Sequence, residues 1–540
     1  MEAIESAVFA SSASFQENRA AMLVLLEKTT SLQKRARDAS YSARSRFEQR
    51  GQLLPRDRLG LLLDKNAPFL ELCSLAGYLL NDSDPAKSVP GGGLIAGIGE
   101  IAGVRCMILA SDSGINAGAL QPKGLDKHLR IQEIAIAHRL PYVQLVESAG
   151  ANLTSYRVEE FVTGGRLFAN LARMSALGIP VVTITHGSST AGGAYQTGLS
   201  DHVIMVRGRT RAYLAGPPLL EAATGEIATD EELGGAEMHT AISGLGDLLA
   251  EDDRDAIRIA RDLVGHMRQG HVAGTSQPPA ASEPPRHDAQ ELLGIMSANP
   301  RNPTDMREVI ARIVDGSRFL ETGGRYGSFT VCGYARLDGW PIGIIGNNGP
   351  IDADGAAKAT HFIQACCQSG TPIVYLQNIT GYMVGRSHEE RGIIKHGLKM
   401  IQAVANATVP QITIQCGASF GAGNYGMCGR AFGPEFLFSW PTARTAVMGA
   451  QQAADTMVNV TEATMRRKNT HNQQQLDDMR TRIVDMFDSQ TDVFTTSALV
   501  LDDGVIDPRL TRDILSLVLD VCRMGRNRTV NPVQFGVARQ

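Results

Sequence analysis

The chain has 540 residues, a formal net charge of −4 and a pI near 6.3. Its 43% hydrophobic and 20% charged residues predict a globular protein of two or more domains, since single cores stop growing at about 300 residues. The slight acidity argues against a nucleic-acid partner, and no apolar run is long enough to suggest a membrane partner.

The N-terminal region predicts a helical arm. Helical periodicity extends over residues 14–50, and further helix signals follow at Arg56–Asp64. We place the arm at residues 1–45 and expect it to serve oligomer contacts. Residues Met1–Ser6 lack a basic targeting segment, and the 8 cysteines include no C-x-x-C pair. We therefore expect a cytoplasmic protein with reduced thiols and no metal site.

A first α/β domain is predicted over residues 46–270. Strand signals at Leu94–Ile101 and Val104–Ala110 precede a helix at Lys127–Ala137 and a strand at Tyr142–Val146. Strands that alternate with helices indicate a largely parallel sheet.

A helix at Ile257–Met267 ends this domain. The Pro-rich, non-periodic residues 271–290 are the predicted linker, and residues 291–530 form the second predicted domain. Within that domain, residues 452–491 are polar and helical, so we expect them to form a solvated excursion.

One strand–glycine unit occurs twice. The apolar run Ile179–His186 leads into Gly187-Ser-Ser-Thr-Ala-Gly-Gly-Ala-Tyr195, and Val409–Cys416 leads into Gly417-Ala-Ser-Phe-Gly-Ala-Gly-Asn-Tyr425. Both ends of the glycine-rich segments are 230 residues apart (187 to 417, 195 to 425). Each copy predicts a buried strand that ends in a loop beginning at the first glycine.

A second pair of segments supports a duplication. Leu140–Gly150 resembles Thr371–Gly381, with the prolines and the final glycines both 231 residues apart (141 to 372, 150 to 381). Solenoid repeats are far shorter, so the duplicated unit is a domain.

The doubled glycine loop indicates electrostatic catalysis. Unpaired backbone N–H groups in such a turn can hold a developing negative charge, which suits an ester or thioester carbonyl that becomes an enolate. The alternative is that the glycines only allow the strand to turn. The doubling favours the functional interpretation.

Three other motifs carry less weight. Gly97-x-Gly99-x-x-Ala102 lacks the strand–helix context of a dinucleotide site and predicts a hairpin turn. Gly417-x-Ser419-x-Gly421 has the form of a nucleophile elbow, but the only downstream histidine, His471, lies in the polar helical segment. Lys399 resembles a biotinylated lysine in its sequence context but falls within a predicted amphipathic helix.

Ordered blocks over about residues 45–522 resemble the carboxyltransferase (β) subunits of biotin-dependent acyl-CoA carboxylases. In the first half they are Gly187–Tyr195, Leu214–Pro218, Ala223–Glu226, Leu233–Ala236 and Ala250–Asp253. In the second half they are Gly346–Gly349, Gln377–Gly385, Ala422–Arg430 and Asp502–Pro508. The second-half blocks point to the methylcrotonyl-CoA and geranyl-CoA carboxylase branch.

The resemblance implies an α/β fold with two tandem crotonase-like domains, each a superhelix of ββα units, joined to the helical arm. It also implies acyl-CoA bound by the first half, carboxybiotin bound by the second, and an active site between two subunits. The expected partner is an α subunit with biotin carboxylase and biotin carrier functions, which uses ATP and bicarbonate. A homo-hexamer is expected.

The same resemblance assigns residues. The backbone N–H groups of Gly192 and Gly193 would bind the thioester oxygen, and those of Ala422 and Gly423 the ureido oxygen of biotin. The acyl-CoA pocket would comprise Ala149, Gly150, Gly164, Gly165, Ala191 and Tyr195, and the biotin side Thr380, Gly381, Phe420, Gly421 and Asn424. The family also uses the segment matching Met306–Ala335 for acyl-CoA.

Three departures from the family pattern bear on the substrate and on positioning near biotin. Gly164 stands where methylcrotonyl-CoA enzymes usually have Phe, which would open volume for a longer chain. Gln196–Leu199 and Met448–Gln451 also differ from the usual residues. We favour geranyl-CoA over methylcrotonyl-CoA. A stand-alone crotonase-type enzyme, a serine hydrolase using Ser419 and a non-catalytic scaffold remain alternatives.

Overall fold

The computed structural model describes residues 1–148, 157–267, 278–297, 299 and 302–537. The chain forms two compact units. We call Ser31–Thr275 with Ala498–Val500 and Val521–Gln540 the N-terminal unit, and Met1–Thr30 with Ser276–Ser497 and Leu501–Asp520 the C-terminal unit.

The N-terminal unit is an α/β structure built on one sheet. Its strands are β1 (Leu70–Glu71), β2 (Leu94–Ile101), β3 (Val104–Ser111), β4 (Tyr142–Ser148), β5 (Val181–Thr190), β6 (His202–Val206), β7 (Arg211–Tyr213) and β8 (Leu248–Ala250). Its helices follow from the helix shared with the other unit: α1 (Ala13–Tyr41), α2 (Arg44–Gln49), α3 (Pro55–Leu62), α4 (Gly124–Ala137), α5 (Val158–Ala176), α6 (Gly192–Gly198), α7 (Pro217–Thr224), α8 (Asp230–Gly234), α9 (Ala236–Met238) and α10 (Asp253–Met267).

The sheet has the order β1-β2-β3-β4-β5-β6-β8, and β7 pairs with β5. The β2–β3 hairpin is antiparallel, whereas β3 to β6 pair in parallel. Strands β4 and β6 are apolar and buried over nearly their whole length, as expected for parallel strands that are covered on both faces. The sequence-predicted parallel sheet is confirmed.

The C-terminal unit repeats this plan. Its strands are β9 (Leu320–Glu321), β10 (Thr330–Leu337), β11 (Trp340–Asn347), β12 (Ile373–Ile379), β13 (Gln411–Phe420), β14 (Phe436–Ser439) and β15 (Arg444–Ala446). Its helices are α11 (Leu292–Ile295), α12 (Met306–Ala311), α13 (Ala353–Ser369), α14 (Arg386–Glu390), α15 (Ile393–Ala405), α16 (Gly421–Gly426), α17 (Ala450–Arg467), α18 (Gln473–Thr491), α19 (Val493–Ala498) and α20 (Thr511–Asn527).

The two sheets correspond strand by strand. The second has the order β14-β13-β12-β11-β10-β9, with β15 beside β13 as β7 lies beside β5. Each sheet has an irregular register at one place, between Val146 and Ser148 and between Gln377 and Ile379. These places are 231 residues apart (146 to 377, 148 to 379), so the duplication extends to a structural irregularity.

Gly97 lies inside strand β2 and not in the hairpin turn, which corrects the sequence interpretation of this motif. A Cβ at Gly97 would overlap the carbonyl oxygen of Leu70 on β1. Gly333 on β10 has the same role, because its Cβ would lie 2.5 Å from the carbonyl oxygen of Leu320. The glycine allows the short edge strand to pass closely.

The N-terminal segment belongs to the C-terminal unit up to Thr30. Ala3 forms a bridge with Arg318, and Ala7 N donates to Glu308 Oε1 at 2.7 Å. Residues 1–45 are therefore divided between the two units at helix α1, whereas the sequence suggested one separate arm.

Helices α17 and α18 form an antiparallel pair within the segment expected to be a solvated excursion. Ala453, Ala454 and Ile483 are buried between them, so the pair has a small core of its own. No helix within the described residues is long and apolar enough to cross a membrane.

Candidate active site

The predicted oxyanion segments lie at two corners where a central strand gives way to a short helix, β5–α6 and β13–α16. The strands continue through Thr190 and Phe420, four residues beyond the predicted ends at His186 and Cys416. The prediction that a loop begins at the first glycine is wrong.

Side chains from the neighbouring strands explain this difference. A Cβ on Gly187 would lie 2.6 Å from Glu147 Oε1, and one on Gly417 would lie 2.5 Å from Asn378 Oδ1. Both glycines therefore stay in the strand and leave space for a polar side chain of the adjacent strand.

At the first corner, Ala191 links β5 to α6. Ala191 has φ 50° and ψ −108°, a region that non-glycine residues rarely adopt. Its N–H donates to the carbonyl of Tyr213 at 3.1 Å. Gly192 and Gly193 follow in the first turn of α6, where N–H groups have no partner within the helix. The corner therefore presents adjacent donors.

The surroundings of these donors are uneven. A Cβ on Gly192 would lie 3.5 Å from Phe168 Cζ, and one on Gly193 3.2 Å from Ser189 Oγ. Thr197 Oγ1 lies 3.1 Å from Ser189 Oγ and donates to the carbonyl of Gly193, which holds the first turn against β5. Tyr195 is half-exposed.

At the second corner, Gly421 has φ 55° and precedes Ala422 and Gly423 in the first turn of α16. A Cβ on Gly423 would lie 2.5 Å from Ile379 Cγ1 and 3.2 Å from Gly381 Cα. The end of β12 thus packs directly on the start of α16, more tightly than Phe168 packs on Gly192.

Ser419 is a structural residue of this corner. Its side chain is fully buried, and its Oγ accepts from Asn424 Nδ2 at 2.6 Å and from Gln415 Nε2 at 3.5 Å. His471 lies beside Glu462 at 3.3 Å on the helical pair. The serine-hydrolase alternative lacks the exposed nucleophile and the adjacent base that it requires.

A cavity of about 710 Å³ lies beside this corner. Its wall includes the two predicted biotin-side residues Thr380 and Phe420, and also Phe329, Asn378, Met448, Gly449, Ala450, Gln451 and Val484. The unusual Met448–Gln451 segment is therefore part of the wall, and the helical pair closes one side. A volume of this size is typical of a small-molecule site.

Not all predicted residues come together. Ala191, Gly192, Gly193 and Tyr195 share the first corner, and Gly164 and Gly165 lie on α5 one turn before Phe168. Ala149 and Gly150 lie outside the described residues. Lys399 is exposed on α15, as the sequence predicted.

Residues 46–532 match the family described as the carboxyl transferase domain. The chain belongs to this family. Of the solved structures, the β subunit of geranyl-CoA carboxylase from P. aeruginosa is 50% identical, with a TM-score of 0.91 and full coverage of both chains.

Curated relatives agree with the family assignment. The probable methylcrotonoyl-CoA carboxylase beta chain of Drosophila melanogaster is 43% identical over 99% of this chain and 95% of its own. The probable biotin-dependent acyl-coenzyme A carboxylase beta2 subunit of Mycobacterium tuberculosis is 46% identical over 92% of both chains. The crotonase-like duplication expected from the sequence is thereby supported along the whole chain.

In this carboxyl transferase, a buried ionic network supports the first corner. Arg58 Nη1 donates to Glu147 Oε2 at 2.6 Å and Arg58 Nε to Asp253 Oδ2 at 3.1 Å, and His186 Nδ1 lies 2.6 Å from Asp253 Oδ1. Gln52 Nε2 donates to the carbonyl of His186 at 3.0 Å. Sequence analysis missed this network because its members are spread over some 200 positions and form no motif.

The network shifts the pKa of its members. Burial, aided by Arg58, lowers the pKa of His186 against the opposing effect of Asp253. Burial alone would raise the pKa of Asp253, but His186 and Arg58 hold it below its usual range. Asp253 is thus an anion that holds β5 between α3 and α10.

Proposed function

We propose that this chain is the carboxyltransferase subunit of a biotin-dependent acyl-CoA carboxylase. It carboxylates the γ-carbon of a β-methyl-α,β-unsaturated acyl-CoA, with geranyl-CoA as the preferred substrate. The observation that carries the proposal is the full-length similarity to the geranyl-CoA carboxylase β subunit, at 50% identity.

The two corners would divide the work. The N–H groups of Gly192 and Gly193 would hold the thioester oxygen as the γ-carbon loses its proton and charge moves through the conjugated system. Each such donor is worth about 3–4 kcal/mol in other enzymes. The buried network behind β5 would keep the corner fixed, and Ala191 and Tyr195 would complete the acyl-CoA side.

The second corner fits the biotin ring. The cavity beside Phe420 combines aromatic walls with the amide of Asn378 and the hydroxyl of Thr380, which suits a bicyclic ring with a polar ureido group. Ala422 and Gly423 would donate to the ureido oxygen, with Gly381, Gly421 and Asn424 shaping the turn. Bound carboxybiotin would supply the carboxyl group and the proton acceptor.

Methylcrotonyl-CoA is the second candidate substrate. The Drosophila relative is named for it, which keeps it open. Against it stands Gly164, where no atom of the described residues lies within 4 Å of an added Cβ. Such an open site favours the longer chain.

We further propose an α-subunit partner that carries biotin carboxylase and biotin carrier functions and uses ATP and bicarbonate, and a homo-hexameric arrangement. Acyl-CoA contacts by Met306–Ala335 stay a prediction. The cytoplasmic location also stays a prediction, and the Drosophila and Dictyostelium relatives are named mitochondrial.

A native pull-down from the source cells, probed with labelled streptavidin, tests the proposal first. We expect a stoichiometric biotinylated partner, and incorporation of labelled bicarbonate into geranyl-CoA by the complex in the presence of ATP. An intact oligomer that turns over acyl-CoA without a biotinylated partner would favour a stand-alone crotonase-type enzyme. Partner binding without any acyl-CoA binding would favour a scaffold.

A further inference from the structure

Helix α5 carries large apolar side chains on an exposed face. Phe161 is 71% exposed, and Val162 is 70% exposed. The helix is fully apolar only where Leu167, Leu171 and Met174 are buried. Exposed aromatic side chains grouped in this way are typical of a binding surface.

The exposed face contains a gap between two aromatic rings. Phe161 and Phe168 are seven residues apart, so they lie on the same side of the helix and about 10.5 Å apart along its axis. Gly164 and Gly165 lie between them. No atom of the described residues is within 4 Å of a Cβ built on either glycine. We call this gap the α5 slot.

The glycines of the α5 slot are costly for the helix. A glycine in a helix interior destabilises it by about 1 kcal/mol relative to alanine, and here two are adjacent. What they provide is a floor of bare backbone onto which a chain can settle between the rings.

One end of the slot lies at the first corner. Phe168 Cζ is 3.5 Å from a Cβ built on Gly192, and the rings of Phe168 and Tyr195 meet edge to face with centroids 5.3 Å apart. The other end, at Phe161, is about two turns further from the predicted thioester position. The slot is therefore a path leading away from the corner.

We propose that Phe161 determines the length of acyl chain that this enzyme prefers, by contacting the far isoprene unit of a ten-carbon substrate laid over Gly164 and Gly165. This inference rests on the function proposed above. Phe168 contacts the carbons beside the thioester, which every substrate has. A five-carbon acyl group ends before it reaches Phe161.

The charges at the far end sharpen the expected class of chain. Glu159 and Glu160 flank Phe161 in the first turn of α5. An uncharged hydrocarbon end is accepted there, whereas a chain ending in a carboxylate is repelled. The slot thus fits an apolar isoprenoid acyl group.

The test compares Phe161→Ala with the wild-type holoenzyme on geranyl-CoA and methylcrotonyl-CoA. We expect kcat/KM for geranyl-CoA to fall about tenfold, the usual scale for lost apolar pocket contact, with less than a twofold change for methylcrotonyl-CoA. Phe161→Leu keeps an apolar contact and should recover most of the loss. Circular dichroism confirms that α5 is intact.

Val162→Ala is the matched control, since Val162 is equally exposed but turned about 100° around the helix. Equal losses on both acyl-CoAs, no loss on either, or the same selective loss in Val162→Ala would overturn the inference. If the holoenzyme carboxylates neither ester, the proposed function fails separately. Calorimetric titration with geranyl-CoA then still measures whether Phe161→Ala weakens binding of the ten-carbon ester.

Discussion

The two strand-to-helix corners share a backbone plan but are supported by different chemistry. At the first, Glu147 fills the space left by Gly187, and its carboxylate brings Arg58, Asp253 and His186 into a buried ionic network. At the second, the neutral Asn378 fills the space left by Gly417 and accepts from Ala418 N at 3.1 Å.

The comparison shows which part of the duplicated design is essential to the geometry. Both corners need a polar acceptor where the register of the sheet is irregular, and an amide is sufficient. The charged solution is an elaboration of the N-terminal unit. A buried ion pair adds little net stability, yet removing one partner strands the other charge. The first corner is therefore more vulnerable to single substitutions.

The largest expected effect follows from Arg58→Met. This change leaves Glu147 and Asp253 buried without their cation and should destabilise the N-terminal unit by about 3–5 kcal/mol. Hydrogen–deuterium exchange of β4 and β5 measures it locally. Arg430→Met is the matched control, because Arg430 pairs with buried Asp503 at 2.9 Å but is itself one-quarter exposed. Equal protection losses in both units would contradict the comparison.

A second prediction concerns the tightness of the corners. Gly423→Ala places a methyl group 2.5 Å from Ile379 Cγ1 and should displace the predicted ureido donors, lowering carboxyl transfer about 100-fold. Gly192→Ala meets only Phe168 Cζ at 3.5 Å and should cost no more than a few-fold. The measurement is kcat of the holoenzyme. A larger loss in Gly192→Ala would reverse the ranking of the corners.

The two units should also respond oppositely to pH. Burial raises the pKa of Asp502 in the C-terminal unit from 3.8 to about 6, so its favourable contribution is complete below pH 3.8 and is lost as pH rises through 6. Asp253, with its lowered pKa, contributes above its unfolded pKa and loses that contribution only at lower pH.

Asp502→Asn tests this contrast. At pH 8 the substitution removes a buried carboxylate and should stabilise the C-terminal unit, by at most about 3 kcal/mol. The gain should shrink towards pH 4, where Asp502 is protonated when folded. Urea unfolding at both pH values, followed by exchange of β14, measures it. A gain that does not depend on pH would contradict the raised pKa.

The smallest effect is expected for Gly164→Phe. The added ring occupies the α5 slot, and kcat/KM should fall about tenfold for geranyl-CoA and less for methylcrotonyl-CoA. The acyl-CoA panel with the holoenzyme measures the ratio. Gly225→Ala, at an exposed helix end in the same unit, is the control that should leave the ratio unchanged. Equal losses on both esters would remove the pocket interpretation.

Local patterns were sufficient to predict much of the fold. The apolar runs of β2, β4 and β5, the amphipathic α15 and the 230-residue repeat are all visible in the sequence, because strand alternation, helix periodicity and glycine turns are short-range properties. The family blocks were visible for the same reason. They led to the corners without any structural information.

Where each corner begins was decided only by tertiary structure. Gly187 and Gly417 look like the start of a loop, yet they continue the strand because Glu147 and Asn378 occupy the space of their missing side chains. A single segment contains no record of which neighbour will lie beside it.

The same reason explains the remaining differences. Arg58, Glu147, His186 and Asp253 meet only after the sheet has formed, since they come from four separate elements. The α5 slot likewise needs Phe168 to lie against Gly192. The sequence alone therefore determined the elements, the duplication and the family. The tertiary structure determined which side chains share a space, because packing joins residues that no local periodicity connects.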